Sequence, residues 1–223
     1  MTPAWVRLAL KDLRLEWRSR ELMNTLLVLS LALITVGELS FHDLDESTIV
    51  AAGLLWLSFA FTSSLGLARS FTAEHDRGTL ETLLLLPVPR GALFFGKVAA
   101  TSLLLLLLQA MNLALIVLLF GIPLSLATAL ALAPVLLLAT LGVASAGVLL
   151  GAVAAQTKGR EVMGPVLLFP VLLPALIAGV HATIEILNGA PLHHVGTQLA
   201  LLFGYDLAFL AVAWLLFEYA VEP

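Results

Sequence analysis

The sequence has no cysteine among its 223 residues, and only 12% of them carry a formal charge. The first absence excludes disulfides, thiolate metal sites, iron–sulfur clusters and cysteine nucleophiles. The second, with 11 Lys and Arg against 15 Asp and Glu, leaves no basic face for a nucleic-acid backbone. Aromatic residues are sparse too, at 8%. What fills the chain is aliphatic: 61% is hydrophobic and the mean hydropathy is +1.06, far above soluble domains. A soluble globule is excluded, and an all-α, polytopic membrane protein remains.

A helix crosses a bilayer core with about 20 mostly apolar residues. The stretches 22–41, 49–68, 92–120, 124–155, 162–181 and 197–220 meet this requirement, giving six expected spans. The third and fourth are longer than needed, which implies tilt or extension into water. Arg7, Lys11, Arg14, Arg18 and Arg20 precede the first span. Arg69, Arg77, Arg90 and Lys97 lie between or just inside the second and third, and Lys158 and Arg160 separate the fourth from the fifth. With six spans these places share one side, so the positive-inside rule puts both termini and both basic loops in the cytoplasm. The opposite side carries no Lys or Arg.

The segment 1–21 is read as an amphipathic helix in the cytoplasmic interface rather than a signal peptide. The following apolar run is too long for a signal, and no small-residue cleavage site precedes the acidic FHDLDE loop. Arg7, Lys11, Arg14 and Arg18 form a basic stripe, and Val6, Leu10, Leu13 and Trp17 form an apolar stripe one position earlier. That pattern sets cations at anionic headgroups and an apolar face in the membrane lipids. Leu8 and Leu15 point away from the stripe.

The cytoplasmic loop 69–91, RSFTAEHDRGTLETLLLLPVPRG, is the most informative stretch. Its apolar part is too short to span and is stopped by Pro87 and Pro89, which lack the N–H that continuation needs. Thr79 is a suitable N-cap, and Glu81 suits the first turn. A leucine-rich helix in water must cover its apolar face, either at the membrane interface or in a groove of a partner.

The segment FTAEHDRGTLETLLLLPVPRGALFFGK resembles the first cytoplasmic loop of the CcmB family, the permease subunits of the cytochrome c maturation (haem exporter) ABC transporter. Phe71, Glu74, Gly78, Thr79, Leu80, Glu81, Leu83, Leu86 and Pro87 match its motif. GLLW at 53–56, Glu21, Asn24, Lys97 and KGREVMGPVLLFPVLLPALI extend the likeness over nearly the whole chain. Thr25 stands where the family pattern has Pro, and Ala68 where it has an acidic residue. The resemblance implies one export permease domain, residues 1–223, in a bacterial inner membrane, with the helix after Gly78 as coupling helix. It also implies the partners: an ATPase subunit similar to CcmA, a second copy of the chain, membrane subunits similar to CcmC and CcmD, and a haem chaperone similar to CcmE. Haem would be a substrate rather than a resident cofactor, and ATP would bind the ATPase subunit. In keeping with this, the one near-match to a phosphate-binding loop, GALFFGKV, has Val98 in place of the magnesium-holding hydroxyl and no preceding strand. The resemblance implies a non-catalytic subunit.

Other polar residues invite separate readings. Asp206 falls in the outward half of the sixth span at a depth like that of Gln109 and Asn112, whose amides could satisfy it by hydrogen bonds; a protonated carboxyl is the equal alternative. An intramembrane carboxylate is a functional candidate in its own right. His42, His181, His193 and His194 fall on the outward side, where imidazoles can ligate haem iron, although adjacent helical residues point about 100° apart. HATIEILNGAPLHH reads as a short outward helix ended by Gly189 and Pro191. Gly147 and Gly151, with Gly142 nearby, permit close helix approach in the fourth span. Pro165, Pro170 and Pro174 should kink the fifth. Three function classes result: an ABC export permease for haem, another small molecule or a lipid; an intramembrane enzyme using Ser145 with His181; and a passive scaffold for haem-handling partners.

Overall fold

A computed structural model describes residues 3–19, 21–41, 47–76, 89–155 and 160–220, with side chains in 3–15, 21–41, 47–67, 89–154 and 166–217. Among them are seven α-helices: α1 (Ala4–Ser19), α2 (Glu21–Phe41), α3 (Ser47–Asp76), α4 (Arg90–Phe120), α5 (Leu126–Ala155), α6 (Arg160–Leu187) and α7 (Gly196–Ala220). A single 3₁₀ turn, Leu192–Val195, precedes α7. Six helices, α2 to α7, are long and apolar enough to cross a membrane, matching the expected spans in number and order.

Helix α5 is the hub, packing against α3, α4, α6 and α7, while α2 flanks α3 and α4. Its small residues explain the position: Ala139, Ala144, Ala146 and Gly147 let neighbours approach closely, and Leu132, Val135 and Val143 fill the remaining gaps. A Cβ on Gly147 would overlap Leu67 of α3, so the small residue expected to permit close approach does sit at a crossing. Peripheral α2 buries only the stripe Leu26, Ser30, Ile34 and Gly37, spaced four, four and three residues apart on one face. Its remaining faces, with Val28, Val36 and Leu39 exposed, suit lipid. Trp56 of α3 lies over Gly179 of α6, and its indole N–H donates to Thr183 Oγ1 at 2.9 Å.

Several expected boundaries change. Helix α3 does not stop at 68 but runs on to Asp76, so Phe71 and Glu74 stand on a helix rather than in a loop. The outward segment beginning at His181 is not a separate helix. Residues 181–187 are the last turns of α6, ended where Gly189 takes φ 87°. Only the following LHHV forms its own turn. Helix α6 also runs unbroken through Pro165, Pro170 and Pro174.

Helix α1 packs on the N-terminal end of α4. A Cβ on Gly96 would stand 3.0 Å from Leu8 Cβ and 3.0 Å from the Trp5 carbonyl oxygen. This gives Leu8 its role. It points away from the apolar stripe because it belongs to a third face, shared with buried Ala9, that docks on α4. Arg7 and Arg14 remain exposed, as does Leu10 of the apolar stripe.

Candidate functional site

The expected coupling loop bridges α3 and α4. Phe71 and Glu74 lie on α3, without described side chains, and Gly78, Thr79, Leu80, Glu81, Leu83, Leu86 and Pro87 lie outside the described residues. Its two supports are described. Helix α3 has 30 residues, about 45 Å at 1.5 Å per residue, against a hydrocarbon core of about 30 Å. Its last turns, RSFTAEHD, are polar and charged, so this end projects into water. Helix α4 begins at Arg90 just after the segment, with Pro89 at its N-cap position and Lys97 two turns inside, 9% exposed. Residues 77–88 therefore join two long spans in the sequence.

The intramembrane polar residues are all buried. Gln109 and Asn112 are 0% exposed and Asp206 is 3% exposed. The structure does not join them as expected: none of the amide or carboxyl atoms has a hydrogen-bond partner among the described residues. Helix register gives the reason. Asp206 packs against Gly142 of α5, where a Cβ would overlap its carboxylate and the Tyr205 ring. Gly142 is sixteen residues, about 24 Å, below the outer end of α5, near its midpoint. Gln109 and Asn112 are eleven and eight residues below the outer end of α4, about 16 and 12 Å. The carboxyl thus lies deeper than the amides and near mid-membrane. Ser102 Oγ and Gln198 Oε1 share the same unpartnered burial. Sequence reading missed Ser102, although its spacing of seven from Gln109 sets both on one helix face. The sequence marks Gly142 for close approach and Asp206 as a candidate, but nothing in it pairs the two.

Of the histidines expected on the outer side, three are described. His42 lies outside the described residues. His193 and His194 are exposed on the 3₁₀ turn with their rings edge to face, centroids 4.5 Å apart. No group of three or more His, Asp or Glu suited to a metal occurs among the described residues. Ser145 is buried and donates to the Gly142 carbonyl at 2.8 Å, whereas His181 is exposed near the outer end of α6. The nucleophile and base of an intramembrane enzyme are therefore far apart.

Six apolar spans around a central α5, with α1 docked on α4, define a polytopic helical membrane protein. The family model described as CcmB protein matches residues 3–222, so the chain belongs to the CcmB family. No curated protein matches the sequence.

Proposed function

We propose that this chain is the membrane subunit of an ABC transporter of cytochrome c maturation in a bacterial inner membrane, driven by ATP hydrolysis on a separate subunit similar to CcmA. The observation that carries the reading is the family match over nearly the whole chain, with the motif FTAEHDRGTLETLLLLP between two spans. The helical supports agree with it mechanically. ATP binding closes the ATPase pair, the segment around Glu81 moves with it, and α3 and α4 tilt as extensions of that segment. Such a rigid-body switch needs a partner that binds two permease conformations with different affinity. The work is haem export, or release of a haem-loaded chaperone similar to CcmE from its membrane partners. A second copy of the chain and subunits similar to CcmC and CcmD complete the assembly.

The test is co-purification with the ATPase subunit, followed by hydrolysis rates with wild type, Glu81→Lys and Leu83→Asp. Both substitutions spare the spans. Loss of the complex, or of ATPase modulation while the permease stays folded, supports coupling through this segment. Equal binding and turnover with both variants overturns it and leaves a scaffold that holds haem-handling partners.

A further inference from the structure

The buried polar atoms of α4 share one face. Ser102 and Gln109 are seven residues apart, and Asn112 follows three later. The direction of that face follows from helix geometry. Gln109 is eighteen residues from Gly91 and Asn112 is eighteen from Phe94; eighteen residues are five turns, so each pair projects the same way. Gly91 and Phe94 meet α7: a Cβ on Gly91 would stand 3.1 Å from Trp214 Nε1, and the Phe94 and Phe217 rings are 5.4 Å apart. Extended along an ideal helix, the stripe falls on the side of α4 that meets α7 at its Arg90 end. On α7, Asp206 is eleven residues from Phe217, about 20° from the same direction.

Along this seam the two ends differ. Toward the Arg90 end the two helices are joined by the Phe94–Phe217 ring pair. From Ser102 outward the α4 side becomes a series of buried hydroxyl and amide groups, none with a hydrogen-bond partner among the described residues. A polar atom buried unpaired in an apolar setting is unfavourable, so a mobile polar occupant is favoured there.

An ionised Asp206 at this depth would need a counter-charge. The helices packed on α7 bring their titratable groups elsewhere. Helix α5 has none, Arg90 and Lys97 lie toward the cytoplasmic end of α4, and α6 carries His181 and Glu185 outside and Arg160 and Glu161 inside. His193 and His194 are at the outer surface, and Tyr205 donates its hydroxyl to the Val171 carbonyl at 3.0 Å. A metal cation would need more charged ligands than this site offers among the described residues.

We propose that Asp206 is a proton-binding site, loaded from the outer side along the Ser102–Gln109–Asn112 stripe. Hydronium gives its proton to the carboxylate, leaving the neutral acid and a water. The acid packs on Gly142, and its loss of the proton would place a charge in that contact. Proton occupancy thereby ties the α5–α7 crossing to the pH outside.

Infrared difference spectroscopy on the full chain in oriented vesicles tests this, with internal pH clamped and no ATPase present. Raising the external pH from about 5 to about 9, which covers the range of buried carboxyls, should abolish a protonated-carboxyl band. The band should be missing in Asp206→Asn and displaced in Asp206→Glu, so one poorly folding variant does not decide the result. Gln109→Leu with Asn112→Leu should slow the response at least about tenfold, equivalent to about 1.4 kcal/mol of barrier. A band that ignores external pH, follows internal pH or is absent throughout overturns the site. An unchanged rate in the double variant overturns the path. Because the ATPase takes no part, neither result bears on the coupling segment.

Discussion

Trp56 and Gly142 show how single residues hold this bundle, and by different means. Indole donation to Thr183 is a hydrogen bond between spans, a class whose coupling averages about 0.6 kcal/mol and reaches about 1.7. A double-mutant cycle with Trp56→Phe and Thr183→Val, read by unfolding in detergent, should return a coupling in that range. Gly142 acts by having no side chain. Leucine there must displace the Asp206 carboxyl and the Tyr205 ring together, because the other side of α5 is packed as well. Overpacking of this sort costs about 1–3 kcal/mol, so Gly142→Leu should unfold more readily than wild type in the same assay. Gly204 has no atom within 4 Å of its would-be Cβ and serves as the control, with Gly204→Ala tolerated.

At the scale of elements, α1 has three faces where the sequence showed two. The apolar and basic stripes were legible because each repeats at helical spacing. The docking face was not, since Leu8 and Ala9 become meaningful only when Gly96 of α4 is opposite them. Gly96→Leu should therefore free α1 without altering its stripes, and faster tryptic cleavage at Arg7, Lys11 and Arg14 would report it. Arg7→Ala and Arg14→Ala should leave cleavage of the remaining sites unchanged while weakening association with anionic vesicles. Each exposed cation near such a surface contributes about 1 kcal/mol, a factor of about five in partitioning. The intramembrane residues repeat the lesson. That Gln109, Asn112 and Asp206 are buried could be read from hydropathy, but their relative depth depends on which residue of α5 meets Asp206. Gly142 settles that depth through a contact between residues 64 positions apart.

For the whole molecule, hydropathy disclosed six spans in the right order because each must satisfy its backbone internally and face lipid or another span. It was weakest where a helix leaves the membrane, as at the end of α3, since water imposes no limit on helix length there. Orientation rests on charge alone, and the proposed function depends on it: if the face with all eleven Lys and Arg were outside, the segment around Glu81 could not meet an ATPase. The cysteine-free sequence makes a direct check simple. Ser125 caps α5 at the turn following α4, with its Oγ accepting from the Thr128 N–H at 3.1 Å, and Arg14 is exposed on α1. Ser125→Cys in intact cells should react with a membrane-impermeant maleimide, whereas Arg14→Cys should react only after permeabilisation. The reverse pattern would invert the topology, move the coupling segment outside and turn the polar stripe of α4 toward the opposite compartment. Agreement would place the segment between α3 and α4 where nucleotide is available and the Asn112 end of the polar stripe toward the side where it is not.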